Sequence, residues 1–476
     1  MKYSHQNSVP YLSRTQTCKR IVTLSLLATL LAGKAYSAPL PEAVYVRCFN
    51  QMTGADPNMS SLDYTKVKQG TLSPINACLN VLSGVKLNSA GTLSPNNSLT
   101  VSVFNRFNRL HNSWFLNRDY LEERSQEILN FKLDLFDPTG PALFFTKTIF
   151  SPDAKFQDIF VGNANLTAVR SDGSMLRAAA STRIGSTVFN ATFSDQSWVD
   201  IGDLTRIKQV PAFPMAYDYT NIKTNQNFTG TIDVVKQFGG GILGSPAYLQ
   251  TTTVFPVGNS LDGGVKVLRR YGKSIMNDFL CRELPAALPA DVDNTKFVDV
   301  ASEVPFRTSS ACTICHATMD QLAGGIRNIY ARQVGEAIAN NNSLGITGLD
   351  IVKPTTLPAL PAYWDSTVDA NKYSQRPLNG RLFYRTSEGA LVDEAFTGLD
   401  QLGAALIEQD DVYRCVAKRY YEYFVGVSVP MAFRPEDLTA DKHRDEIEKL
   451  ADKLRLDGDL LSVVSDILKS EEYLNQ

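Results

Sequence analysis

The run Cys312-Thr313-Ile314-Cys315-His316 constrains this chain more than any other stretch, because a polypeptide with that spacing must fold around whatever its three reactive side chains hold. Two thiols separated by two residues can each form a thioether to one vinyl group of a porphyrin. The histidine that follows is then held under the iron as an axial ligand. The pentapeptide therefore predicts one covalently attached haem c on Cys312 and Cys315, with His316 as proximal ligand through Nε2. Such attachment in bacteria takes place outside the cytoplasm, so the motif also requires export.

The N-terminus meets that requirement. Lys2, Arg14, Lys19 and Arg20 precede the uncharged run Ile21 to Ala32, and Gly33-Lys34-Ala35-Tyr36-Ser37-Ala38 supplies small residues for a peptidase. This pattern predicts a secretory signal peptide over residues 1–37, cut after Ser37. An apolar run of about a dozen residues is short of the ~20 that span a bilayer. Cys18 lies ahead of the run, so no cysteine follows it to take a lipid anchor. The expected product is periplasmic or secreted, with no transmembrane segment after signal cleavage.

Lys and Arg number 47 against 49 Asp and Glu, and neither sign forms long blocks. Nucleic acid and anionic membrane surfaces are therefore not expected partners; the expected partner is an electron donor or acceptor of unknown identity. Of seven cysteines, Cys18 leaves with the signal and two belong to the haem, leaving Cys48, Cys78, Cys281 and Cys415. An even remainder in an oxidising compartment suggests two disulfides. Three connectivities exist, with buried free thiols as the alternative. Cys48–Cys78 is favoured because both lie in short helical patterns joined by a turn region. Cys281–Cys415 then remains, and would staple the haem segment to the C-terminal helices.

The expected fold is mainly α: a multi-helix cytochrome c-like haem domain within a larger helical body, with an irregular insert containing a few short strands. About 440 residues remain after the signal, enough for two or three domains of ~100–200 residues. The segments read as an N-terminal helical domain over 38–160, a Ser/Thr/Asn-rich insert over 161–260, a haem-binding domain over 261–390 and a C-terminal helical domain over 391–476. Apolar residues recurring at three and four predict helices over Glu42–Met52, Pro74–Leu82, Leu99–Phe115, Tyr120–Phe136 and Val265–Leu280. Ser73 before Pro74 is an N-cap signal. A helix is expected from Ala317 to about Ile338, then irregular chain through Pro354, Pro358 and Pro361. Further helices are expected over Leu399–Gln409, Val412–Val425, Lys442–Leu456 and Leu460–Ser470. Gly239-Gly240-Gly241 lacks the lysine and hydroxyl residue of a phosphate cradle and reads as a turn.

Other chemistries at the motif are weaker. A zinc site would need a second ligand pair, and the mature chain offers only His111 and His443 besides His316. A thioredoxin-type dithiol would want a buried strand before it, which Phe306-Arg307-Thr308-Ser309-Ser310 does not provide. For the iron's sixth position, His111 is the candidate distal ligand, with the remote Met276 and Met431 also in place; a core histidine and an open sixth position are the alternatives. Met319, three residues along a helix from His316, lies on the same side of the porphyrin and suits packing against its edge. Asp320 could hydrogen-bond near the site but reads more simply as a solvated helix residue.

Cys312-x-x-Cys315-His316-x-x-Met319-Asp320, preceded by Phe279-Leu280-Cys281 and Glu283-Leu284-Pro285, resembles the planctomycete-type cytochrome c proteins. These are large exported bacterial chains built from successive helical domains. Gly241-Ile242-Leu243-Gly244-Ser245-Pro246-Ala247 is similar to their segment before that helix. Gly398-Leu399-Asp400-Gln401-Leu402-Gly403, Tyr413-Arg414-Cys415-Val416-Ala417, Tyr420 and Ser470-Glu471-Glu472-Tyr473-Leu474 are similar to their closing domain. The resemblance extends over residues 40–476 and is strongest from about 240. After Met319-Asp320 the family continues with proline, glycine and an aromatic, where this chain has Gln321-Leu322-Ala323-Gly324-Gly325-Ile326-Arg327-Asn328. The resemblance implies haem binding and electron transfer and supplies no substrate. Because a simple carrier needs only ~100 residues, the extra chain must justify its ordering entropy. A haem-dependent oxidoreductase with an unidentified substrate, or a scaffold with a structural haem, are the alternatives to a monohaem electron carrier.

Overall fold

Ser61, Ser73, Asn97, Asp459 and Ser470 each cap the start of a helix by accepting from a backbone N–H of its first turn. The computed structural model describes residues 39–115, 139–173, 182–184, 187–189, 204–209, 213–221, 226–234, 237–252, 269–292, 310–327, 329–338, 342–351, 377–431 and 438–476. Helix α1 (Pro41–Thr53) stops at Gly54, whose left-handed φ of 78° closes its last turn. Ser61 caps α2 (Leu62–Lys68). Ser73 caps α3 (Pro74–Ser83), its hydroxyl accepting from the Asn76 N–H at 3.1 Å. Asn97 and Thr100 cap α4 (Ser98–Ser113) reciprocally. Helix α5 (Gly140–Phe150) is buried along nearly its whole length. The expected helix over Tyr120–Phe136 lies outside the described residues.

Strand β1 (Leu166–Arg170) pairs antiparallel with β4 (Leu204–Gln209), while β2 (Thr182–Ile184) pairs with β3 (Thr187–Phe189) and β5 (Phe213–Asn221) with β6 (Gln226–Val234). The insert thus carries the short strands its composition suggests. Asn105 on α4 ties the first pair to the helices, accepting from Leu204 N–H at 3.0 Å and donating to its carbonyl at 3.2 Å. Gly239, Gly240 and Gly241 all have positive φ and form the expected turn. A side chain at Gly240 or Gly241 would collide with the carbonyls of Leu399 or Ile159. Helix α6 (Pro246–Thr252) follows, then α7 (Arg269–Phe279) and α8 (Ser310–Ala323).

The helix expected from Ala317 to about Ile338 is not there. Helix α8 begins seven residues earlier, at Ser310, carries the whole motif, and passes through a 3-10 turn at Gly324–Ile326 into an antiparallel hairpin of β7 (Ile329–Ile338) and β8 (Asn342–Ile351). The physical reason is Gly324 and Gly325. At Gly324 any side chain would strike the Asn379 carbonyl, and Gly325 lies against the Phe396 ring. Beyond them the sequence supplies the β-branched Ile329, Val334, Ile338, Ile346, Thr347 and Ile351, a composition that suits strands. A second hairpin, β9 (Asn379–Arg385) with β10 (Leu391–Thr397), was also unexpected. Leu382, Phe383 and Tyr384 are buried in succession, so β9 shows none of the apolar–polar alternation by which a half-exposed strand is recognised.

The remaining helices are α9 (Gly398–Ile407), α10 (Asp410–Val425), α11 (Leu438–Asp457), α12 (Leu460–Lys469) and α13 (Glu471–Leu474). The molecule is mainly helical, as expected. Its first and last helices share one core, in which Tyr45, Met52, Phe104, Phe107 and Phe145 meet Tyr420, Phe424, Val463 and Ile467. Polar ties run between the same ends: Tyr473 donates to the Gln51 side chain at 2.9 Å, and the Arg106 Nε donates to the Tyr423 hydroxyl at 2.8 Å. Both cysteine pairs are bonded as read, Cys48–Cys78 joining α1 to α3 and Cys281–Cys415 joining the end of α7 to α10. No described helix is long and apolar enough to cross a membrane.

Candidate haem-attachment site

Helical spacing puts Cys312, Cys315, His316 and Met319 on one stripe of α8, since residues three and four apart stack on the same face. That stripe is the accessible one: Cys312 is exposed, while Cys315, His316 and Met319 are half-buried. The opposite stripe is anchored. Ala317 packs with Ala287, Val292 and Phe383, with Ile314 against them, and the Thr318 hydroxyl donates to the Phe383 carbonyl at 2.7 Å. Strand β9 therefore lies between two apolar layers, giving Leu382 and Tyr384 to the main core and Phe383 to the small cluster behind α8. Arg385, at its end, holds Asp291 through its Nε at 2.6 Å, and this hydrogen bond keeps the Asp291 carboxyl below the usual range.

The thiols of Cys312 and Cys315 are free, unlike the four cysteines that pair. Burial, and after it the neighbouring Cys312, pushes the Cys315 thiol up. Among the described residues no group of three or more His, Cys, Asp or Glu is arranged to hold a metal ion.

His316 directs Nδ1 at Asp320 Oδ2, 3.2 Å away. With Nδ1 so engaged, metal ligation falls to Nε2. Asp320 is not the solvated residue expected from its charge. Its side chain is 2% exposed and takes the Arg269 guanidinium on both oxygens, Nε to Oδ1 at 2.8 Å and Nη2 to Oδ2 at 3.3 Å. Arg269 lies one turn before Gly272 on α7, where even a methyl group would run into the Met319 carbonyl. The glycine lets the two helix backbones touch and so brings the arginine to the aspartate. The sequence reading missed Arg269 and Gly272. The i, i+4 spacing of His316 and Asp320 was the one signal that could have pointed to the pair.

His111, the candidate distal ligand, is employed elsewhere. It is 0% exposed, between α4, α5 and α10, with Nδ1 2.8 Å from the Thr146 hydroxyl and Nε2 2.7 Å from the Tyr420 hydroxyl. Thr146 donates its own proton to the Ala142 carbonyl at 2.9 Å, so it accepts from His111 Nδ1–H. Nε2 must then accept from Tyr420. Desolvation lowers the His111 pKa to about 3 and keeps the ring neutral. With both nitrogens committed inside the core, His111 has no lone pair to offer an iron. Met276 is likewise fully buried in the main core, Met431 packs at its margin, and His443 bonds to the Tyr421 hydroxyl through Nδ1 at 2.7 Å.

These residues fit a covalently held haem. Cys312 and Cys315 would carry the porphyrin, His316 would bind its iron, and the group so held supplies one-electron redox chemistry. No family model, no curated protein and no solved structure matches the chain.

Proposed function

We propose that this protein is an exported monohaem c-type cytochrome that passes single electrons, its haem c carried on Cys312 and Cys315 with His316 as proximal ligand. One observation supports the reading above the rest. In a chain whose other described cysteines pair, these two stay unbonded on the accessible face of one helix, in line with a histidine whose Nδ1 is already engaged. The apparent signal peptide of residues 1–37 and the resemblance of residues 240–476 to planctomycete-type cytochrome c proteins point the same way.

The test is intact mass and a pyridine haemochrome spectrum of protein matured in a bacterial host competent for c-type haem attachment. The expected result is one haem c per chain, lost in the Cys312→Ala/Cys315→Ala variant. A mass equal to the processed polypeptide alone, without a tetrapyrrole adduct, would overturn the assignment.

A further inference from the structure

Attachment of a porphyrin needs two thiols, and ligation needs one imidazole; neither requires a buried carboxylate behind the histidine. Asp320 is such a carboxylate, and burying one is unfavourable unless the fold gives it partners. Here every partner has a direction. The Arg269 fork from α7 grips both oxygens and fixes the plane of the carboxylate, and His316, one turn back on α8, meets Oδ2 through Nδ1. Gly272 supports the arrangement from a distance, because the contact of α7 with the Met319 backbone sets where Arg269 emerges. An arginine–aspartate pair whose only task was to join two helices would not need to aim its second oxygen at the metal-binding ring.

We infer that Asp320, held by Arg269, is a positioning residue that fixes the Nδ1–H tautomer of His316 and strengthens electron donation from Nε2 to the haem iron. The inference rests on the haem reading above. A carboxylate accepting from Nδ1–H gives the imidazole part of the character of an imidazolate and raises its basicity as a ligand. A more basic ligand stabilises ferric over ferrous iron, and a hydrogen bond to the axial ligand is one of the few means by which a protein tunes a haem potential. Asp320 thus lowers the reduction potential of the centre without touching the metal.

The experiment uses haem-loaded protein, with loading verified by the haemochrome spectrum, and compares wild type with Asp320→Asn and Asp320→Glu by potentiometric titration. Asp320→Asn is expected to raise the midpoint potential, and Asp320→Glu, which keeps the charge, to return part of that shift. Equal midpoints for haem-loaded wild type and Asp320→Asn would overturn the inference and leave the haem assignment intact. Should Asp320→Asn fail to fold, proton NMR of the reduced wild type decides. A His316 Nδ1 proton protected from solvent exchange supports the inference, and one that exchanges rapidly overturns it. Wild-type protein without haem would defeat both readings, and the haemochrome spectrum identifies that outcome.

Discussion

His111 and His316 are the same side chain in opposite circumstances. One is sealed in the core with a hydroxyl on each nitrogen; the other sits on an accessible helix face with one nitrogen bound to a buried carboxylate. Scarcity drew attention to His111, yet scarcity measures only how few positions of a kind exist. His111 makes both of its bonds inside the core, whereas His316 meets Asp320 from the helix face that also carries the two free cysteines.

The sharpest way to break this contrast is His111→Ala. Removal leaves a cavity among Phe107, Trp114, Phe145 and Tyr420 and strips Thr146 and Tyr420 of a buried partner. A loss on the order of 3–5 kcal/mol is expected in urea unfolding, with haem content unchanged. A loss of haem with little change in unfolding would instead make His111 a ligand.

A smaller effect sharpens the comparison through pH. His111 has a folded pKa of about 3 against its ordinary 6.5. The unfolded chain therefore binds the extra proton between those values, and the stabilisation is present above 6.5 and lost as pH falls toward 3. One proton corresponds to a slope of about 1.4 kcal/mol per pH unit. Asp278 acts in the opposite sense. Desolvation, against the pull of Arg419 and the Tyr248 hydrogen bond, raises its carboxyl from 3.8 to about 7, so its contribution is present below 3.8 and lost as pH rises toward 7. Wild-type stability should be nearly flat between about 4 and 6.5 as far as these two groups decide it. The excess of wild type over His111→Gln should grow with pH across that window and level off above it. Parallel pH profiles for the two proteins would count against the neutral, doubly bonded ring.

The smallest expected effect belongs to His316→Ala in a Cys312→Ala/Cys315→Ala background, which carries no haem. The side chain is 18% exposed and Asp320 keeps Arg269, so a change within about 1 kcal/mol is expected in the same unfolding assay. A much larger loss would show His316 to be a core residue like His111.

Much of the helical frame was legible because apolar spacing and caps agree locally, as with Ser73 before α3 and the Leu460, Val463, Val464, Ile467 and Leu468 stripe of α12. Cysteine arithmetic set the number of disulfides, and the short helical patterns around Cys48 and Cys78 were needed to choose the pairing that is found. Strands β7 to β10 were not. Their pairing depends on partners across a turn, and β9, apolar on both sides, carries no alternation. Asp320 escaped for a related reason: a charge on a helix is normally solvated, and only the tertiary approach of Arg269 makes its burial tolerable. The reactive groups of the site could be read in one dimension; the residues that aim them could not.

The bond between Gln51 and Tyr473 closes a loop of 422 positions, and Arg47 lies over the same tyrosine ring, 4.4 Å from its centre. An interior begun by α1 is finished by α12 and α13, so truncation before Leu460 would lay bare the core that α1 helps to build.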